Sequence, residues 1–112
     1  MKVIFHVDEM SKWGLVLGNT RNLIAALADK DLSVEILANS EAVKFLVLKD
    51  QVAENTDALT ALSKTVRIVA CNNALRAFKI DPASLYDFVT VVPAGVAELV
   101  LRQHEGYAYI KP

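Results

Sequence analysis

Cys71 is the only thiol in a chain of 112 residues. It sits in VRIVACNNALRAF, where a short β-branched run ends and a helical pattern begins at Asn72. A helix N-terminus offers free N–H groups and the positive end of the helix dipole, and both favour thiolate over thiol. Thiolate is the nucleophilic form. Arg76, five residues further on, would add positive charge if the turn brings its guanidinium back to the sulfur. The backbone N–H groups of Asn72 and Asn73 could steady an anion at the same point. Free cysteine is also among the most buried residue types and often behaves as a small hydrophobe. Residue type and position therefore leave both a reactive and an inert Cys71 open.

Other chemistry is poorly represented. His6 lies inside the apolar run KVIFHV and reads as a core side chain hydrogen-bonded to its surroundings. His104 falls in the last turn of a helix, where positive charge is favourable, and reads as structural. Two histidines and one cysteine on three separate elements lack the local spacing of a zinc site, so no metal is expected. Gly14 and Gly18 form neither GxGxxG nor a P-loop, no GxSxG elbow occurs, and no cofactor is expected. Trp13, with Asn19 and Asn22 behind it, could line a site beside the first strand's end or simply pack where helix meets sheet. A dithiol oxidoreductase would need a resolving cysteine, which the chain lacks.

The elements that must position Cys71 follow from periodicity. Lys2–Val7, Ser33–Ala38, Val66–Ala70, Phe88–Val92 and the short Tyr107–Ile110 read as strands. Helical patterns cover Trp13–Ala28, a stretch opening at Glu41 with Ser40 as its cap, Asn55–Lys64, Asn72–Phe78 and Ala94–Glu105. Pro93 would open the last of these and Gly106 end it, while Asp81-Pro82 starts a brief turn through Leu85. Alternating strands and helices predict one α/β domain over residues 1–112: a three-layer α/β/α sandwich with a mostly parallel five-stranded sheet. Strand order is not legible at this level. Ligands of such sheets bind outside the carboxyl ends of the strands. That edge selects Asp8 and Glu9, Asn39 and Ser40, Cys71 to Asn73, and Pro93 and Ala94.

Charge narrows the partners. With 12 Lys and Arg against 13 Asp and Glu the net charge is −1, without the basic excess of a domain that grips phosphate backbones, so nucleic acid is excluded as a partner. Hydrophobic residues make up 54% of the chain and mean hydropathy is +0.32, yet no apolar run approaches the ~20 residues of a membrane span. The N-terminus MKVIFHVDEM has no signal-peptide pattern, and a cytoplasmic location is expected. The apolar surplus predicts self-association. Val43, Phe45, Leu46, Val47 and Leu48 would cover nearly every direction around a helix, which makes Ala42–Lys49 a candidate partner surface. Alternatively the segment is part strand, or inserts irregularly into the core.

Four segments in order, HVDE with KWGLVLGNTRNLIAAL, VEILANSEAV, VRIVACNNALRAF and VVPAGVAELVLRQHEGYAYIKP, carry a resemblance that extends over nearly the whole chain. The chain resembles the DsrE/DsrF-like family of small α/β proteins associated with sulfur metabolism. The resemblance implies a parallel five-stranded sheet between helices, homo-oligomers of three or six subunits, and a cysteine that carries sulfur as a persulfide. That cysteine matches Cys71, and Ala74 and Arg76 complete the family's C-x-x-A-x-R pattern. Ala94 replaces the family's small polar residue after the proline, which removes a hydroxyl contact at that corner. The functional expectation is a persulfide carrier or sulfurtransferase with protein donor and acceptor. Cys71 would be its nucleophile, and Asn72, Asn73, Arg76, Asp8, Trp13 and Asn39 its supporting residues. The alternative is a non-enzymatic oligomeric module that binds a small ligand or regulates, with Cys71 only part of the wall.

Overall fold

The computed structural model describes residues 1–112. Five strands, β1 (Lys2–Val7), β2 (Ser33–Ala38), β3 (Val66–Cys71), β4 (Val89–Val92) and β5 (Ala108–Ile110), form one sheet in the order β4-β3-β2-β1-β5. All four pairings are parallel. The four α-helices are α1 (Trp13–Ala26), α2 (Ala53–Leu62), α3 (Asn72–Ala77) and α4 (Gly95–His104). From β1 to β4 each strand is laid beside the one before it, so right-handed crossovers keep every connection on one face. The return from β4 to β5 runs the other way, and α4 lies on the opposite face.

The core is split accordingly. Val3, Phe5 and Val7 alternate with Ile4 along β1, and the first set joins a 24-residue cluster containing Trp13, Val16, Leu59, Leu62 and Leu75 from α1, α2 and α3. On the other face a four-residue cluster, Ile4, Leu37, Val69 and Leu99, is the apolar contact beneath α4. Fully burying each such aliphatic side chain stabilises the fold by about 1.5–3 kcal/mol.

Between β2 and α2 the chain departs from expectation. Ser40–Leu46 is wound as 3-10 turns, not an α-helix, and Ser40 takes a positive φ of 50° without capping anything. Ala42, Val43, Phe45, Leu46 and Val47 are all buried in the chain's own core, and of the segment's apolar residues only Leu48 is substantially exposed. The segment is thus irregular core packing, and the partner surface expected there is not present. Its backbone is pinned from outside: Trp13 stacks on Phe45 at 4.7 Å and donates through Nε1 to the Ala42 carbonyl at 2.9 Å. The Tyr86 N–H donates to the Leu46 carbonyl at 3.2 Å, and Val47 bridges to Leu85. These tertiary bonds replace the helical ones, so the apolar side chains enter the core from several directions. Smaller shifts occur at helix ends. α1 stops at Ala26, α2 runs Ala53–Leu62, and α4 starts one residue late with Ala94, not Pro93, at its threshold.

A charged cluster sits between α4 and the sheet. Glu35 of β2 is 1% exposed. Its Oε1 lies 3.2 Å from Arg102 Nε and 3.7 Å from Arg67 Nε, and neither carboxyl oxygen has a well-aligned hydrogen bond. Arg102 also reaches Glu98 at 3.0 Å and Glu105 at 2.7 Å. Burial, reinforced by the adjacent Glu98 carboxyl, pushes Glu35 up to about 8, so it holds a proton at neutral pH. Burial disfavours charge on Glu98 too, but the neighbouring Glu35 carboxyl, which carries the proton, and the hydrogen bond from Arg102 outweigh it and hold that carboxyl below its ordinary value.

Glu35 titrates near 4.5 when unfolded and near 8 when folded, so its stabilising contribution is complete below the first value and lost as pH rises to the second. Thermal melts should show the melting temperature falling between about pH 4.5 and pH 8. Glu35→Gln, which keeps the shape and removes the titration, should flatten most of that slope.

Candidate functional site

Cys71 ends β3 and serves as the N-cap of α3. The Ala74 N–H donates to its Sγ at 3.4 Å. It is therefore Ala74, rather than Asn72 or Asn73, whose backbone N–H meets the sulfur. Since Ala38 pairs with Ala70, Asn39 emerges from β2 directly beside Cys71. Both side chains face α4, whose first turn comes extremely close. A β-carbon on Gly95 would lie 3.1 Å from the Cys71 β-carbon and 3.2 Å from that of Asn39. Glycine is what allows the helix to rest on the cysteine.

These residues surround an open cleft of about 470 Å³, with Asn39, Cys71, Asn73 and Phe78 on one wall and Ala94, Gly95 and Val96 on the other. Cys71 is 6% exposed at its base. A neighbouring hollow of about 430 Å³ beneath Lys44, Lys49 and Lys79 shares Phe78 with this cleft but holds no nucleophile.

The other expected residues are distributed unevenly. Asn39 and Asn73 line the cleft with Cys71. Arg76 is exposed, and its Nη2 donates to Asn73 Oδ1 at 2.9 Å, so it borders the cleft through that side chain instead of reaching back to the sulfur. Asn72 is half-buried at the start of α3 and is not in the cleft wall. Asp8 pairs with Lys111 at 3.4 Å, and Trp13 is buried in the large core cluster against Phe45; neither lines the cleft.

Two residues gain a place beside the site that periodicity did not assign. His6 Nε2 lies 2.9 Å from Asn39 Oδ1, and His6 Nδ1 lies 2.6 Å from the Tyr109 hydroxyl. His6 is hydrogen-bonded to its surroundings, as its apolar context suggests, but those surroundings are the carboxyl edge. Strand parity was the available signal, since His6 pairs with Leu37 and so faces α4; using it required the strand order.

A match to the DsrE/DsrF-like family covers residues 2–112. The chain belongs to the DsrE/DsrF-like family. Membership supports a general sulfur-relay role. MTH1491 of Methanobacterium thermoautotrophicum, described as a protein of unknown function, is 38% identical with a TM-score of 0.87, over 99% of this chain and 98% of that one. The ychN protein of E. coli shares the DsrE-type fold at a TM-score of 0.69 and 18% identity, over 100% of both chains. No curated protein matches. No helix of this DsrE-family chain is long and apolar enough to cross a membrane.

Gly95→Val tests the contact that builds the cleft. A branched side chain cannot fit against Cys71, Asn39 and Leu37, so the variant should lose about 1–3 kcal/mol of stability in denaturant unfolding as α4 is lifted from the sheet.

Proposed function

We propose that the protein is a persulfide sulfur carrier or sulfurtransferase acting through Cys71. The observation that carries this reading is a sole thiol at the carboxyl edge of a parallel sheet, opening into a cleft with its sulfur receiving a backbone N–H. The Cys71 thiolate attacks the terminal sulfur of a donor persulfide. The donor's sulfur–sulfur bond breaks, its thiolate leaves, and the new bond joins Cys71 Sγ to the transferred sulfur. The same exchange in reverse hands that sulfur to an acceptor thiolate. No external oxidant or reductant is consumed. The Ala74 N–H donates to the sulfur that makes and breaks these bonds.

The depth of Cys71 favours a second reading, in which the cleft binds a small ligand and the cysteine is only part of its wall. Native-state alkylation separates the two. Modification faster than that of a model thiol supports the carrier, and modification only on unfolding supports the binding module.

We further propose a homotrimer or hexamer assembled through α4. This helix is turned inside out: Glu98 and Arg102 point to the sheet, while Val96, Val100 and Leu101 are 67%, 51% and 59% exposed. An amphipathic helix normally does the reverse, and an apolar ridge in water is the mark of a covered surface. Cytoplasmic location and protein donors and acceptors belong to the same proposal.

Incubation with polysulfide should add the mass of one sulfur to each subunit, reversibly by dithiothreitol. Cys71→Ser should abolish the adduct and leave the fold intact. Arg76→Ala should change the loading rate by less than about tenfold, because an exposed charge contributes about 1 kcal/mol or less. Equal labelling of wild type and Cys71→Ser would falsify the carrier reading. For assembly, Val100→Glu with Leu101→Glu should give monomers in light scattering, and a wild type that is itself monomeric at micromolar concentration would remove the oligomer.

A further inference from the structure

The persulfide chemistry above makes no use of the hydrogen-bond chain from Tyr109 through His6 to Asn39. An amide oxygen can only accept, so the 2.9 Å contact with Asn39 Oδ1 places a proton on His6 Nε2. In that tautomer Nδ1 is the acceptor, and the Tyr109 hydroxyl donates to it at 2.6 Å. The chain therefore has a direction, and its end point is an Asn39 amide whose oxygen is committed to β1. β2 lies between β1 and β3, with His6 on one side of Asn39 and Cys71 on the other. With its oxygen committed to His6, the amide has only its NH2 group left to offer. That group has no acceptor within the protein, and it belongs to the cleft wall that also holds Cys71.

We propose that the Asn39 carboxamide, aimed by His6 and Tyr109, forms an anion-binding subsite beside Cys71 that holds a negative group one or two bonds beyond Sγ, the terminal sulfur of a persulfide in particular. The identity of that anion rests on the carrier reading; the subsite itself does not. A neutral amide suits the task, since it donates to the anion without forming an ion pair that would retain it, and a carrier must release its sulfur. Asn39 is the group that touches the anion. His6 and Tyr109 act through it and are positioning residues.

The subsite can be tested without sulfur transfer, by alkylating native Cys71 with iodoacetate and with iodoacetamide. These reagents differ in a carboxylate whose carbon lies two bonds from Sγ. The ratio of their rates, each normalised to free cysteine, reports anion preference. Asn39→Leu, neutral and similar in volume, should lower that ratio at least tenfold. Tyr109→Phe should lower it severalfold although it touches neither sulfur nor reagent, an effect that an amide with only a structural role would not produce. In nitrogen-15 spectra, the Asn39 side-chain amide should shift on carboxymethylation and much less on carbamidomethylation of wild type. This keeps the test decisive even if Asn39→Leu does not fold. An unchanged ratio in Tyr109→Phe with an unshifted Asn39 amide overturns the subsite, as does failure of both reagents to reach native Cys71. If the ratio responds as expected but no persulfide forms with polysulfide, the subsite stands and the carrier reading falls. If persulfide forms while the ratio is indifferent to Asn39 and Tyr109, only the subsite falls.

Discussion

The close approach of α4 to the ends of β2 and β3 is the contact on which the rest of this molecule depends. Gly95 rests against the β-carbons of Cys71 and Asn39, and this packing converts a strand end into one wall of a cleft. The approach is itself a consequence of topology. Because β5 pairs with β1 on the far side of the sheet from β4, the chain must cross back over β3 and β2, and α4 is the element that makes the crossing.

That crossing creates an unusual division of labour between the two faces. The face carrying α1, α2, α3 and the 3-10 segment has a large apolar core and needs nothing else. The α4 face has only Ile4, Leu37, Val69 and Leu99, flanked by the polar cluster of buried Glu35 and Glu98 with partly buried Arg102. Holding α4 through charges is conditional in a way that apolar packing is not. The Glu35 proton lets two carboxyls share one small space with the arginines, because burial disfavours a second negative charge. The same inward placement of polar residues leaves Val96, Val100 and Leu101 facing outward. Charged residues on the inner face and apolar ones on the outer face are thus one feature of the helix, and both bear on the cleft that its first turn lines.

The site combines short-range and long-range contributions. Cys71 and Ala74 meet through the local geometry of a strand-to-helix junction, in which Sγ takes the capping role usually filled by oxygen. Asn39 arrives from the register between β2 and β3, His6 from that between β1 and β2, and Tyr109 from the last strand of the chain. His6 and Tyr109 are 103 positions apart in sequence and 2.6 Å apart in space. Their meeting depends on the parallel pairing of β5 with β1.

The sequence by itself determined the α/β class, the strands and most helices, and the position of the sole thiol at a strand-to-helix junction. Those features depend on periodicity and on neighbouring residues, and both are written locally. Tertiary structure decided the strand order, the burial of Val43, Phe45, Leu46 and Val47, the diversion of Arg76 to Asn73 and the recruitment of His6 and Tyr109. Val43–Val47 reads as surplus surface only while the bonds to Trp13, Leu85 and Tyr86 are unknown, since those contacts replace the regular helix that the apolar pattern presupposes. Arg76 could reach either its sulfur or its own helix, and a hydrogen bond three residues away requires less ordering of a long side chain. His6 and Tyr109 carried no local mark at all, because a hydrogen bond across more than a hundred residues is specified by the order in which strands pair, and that order is a property of the whole chain.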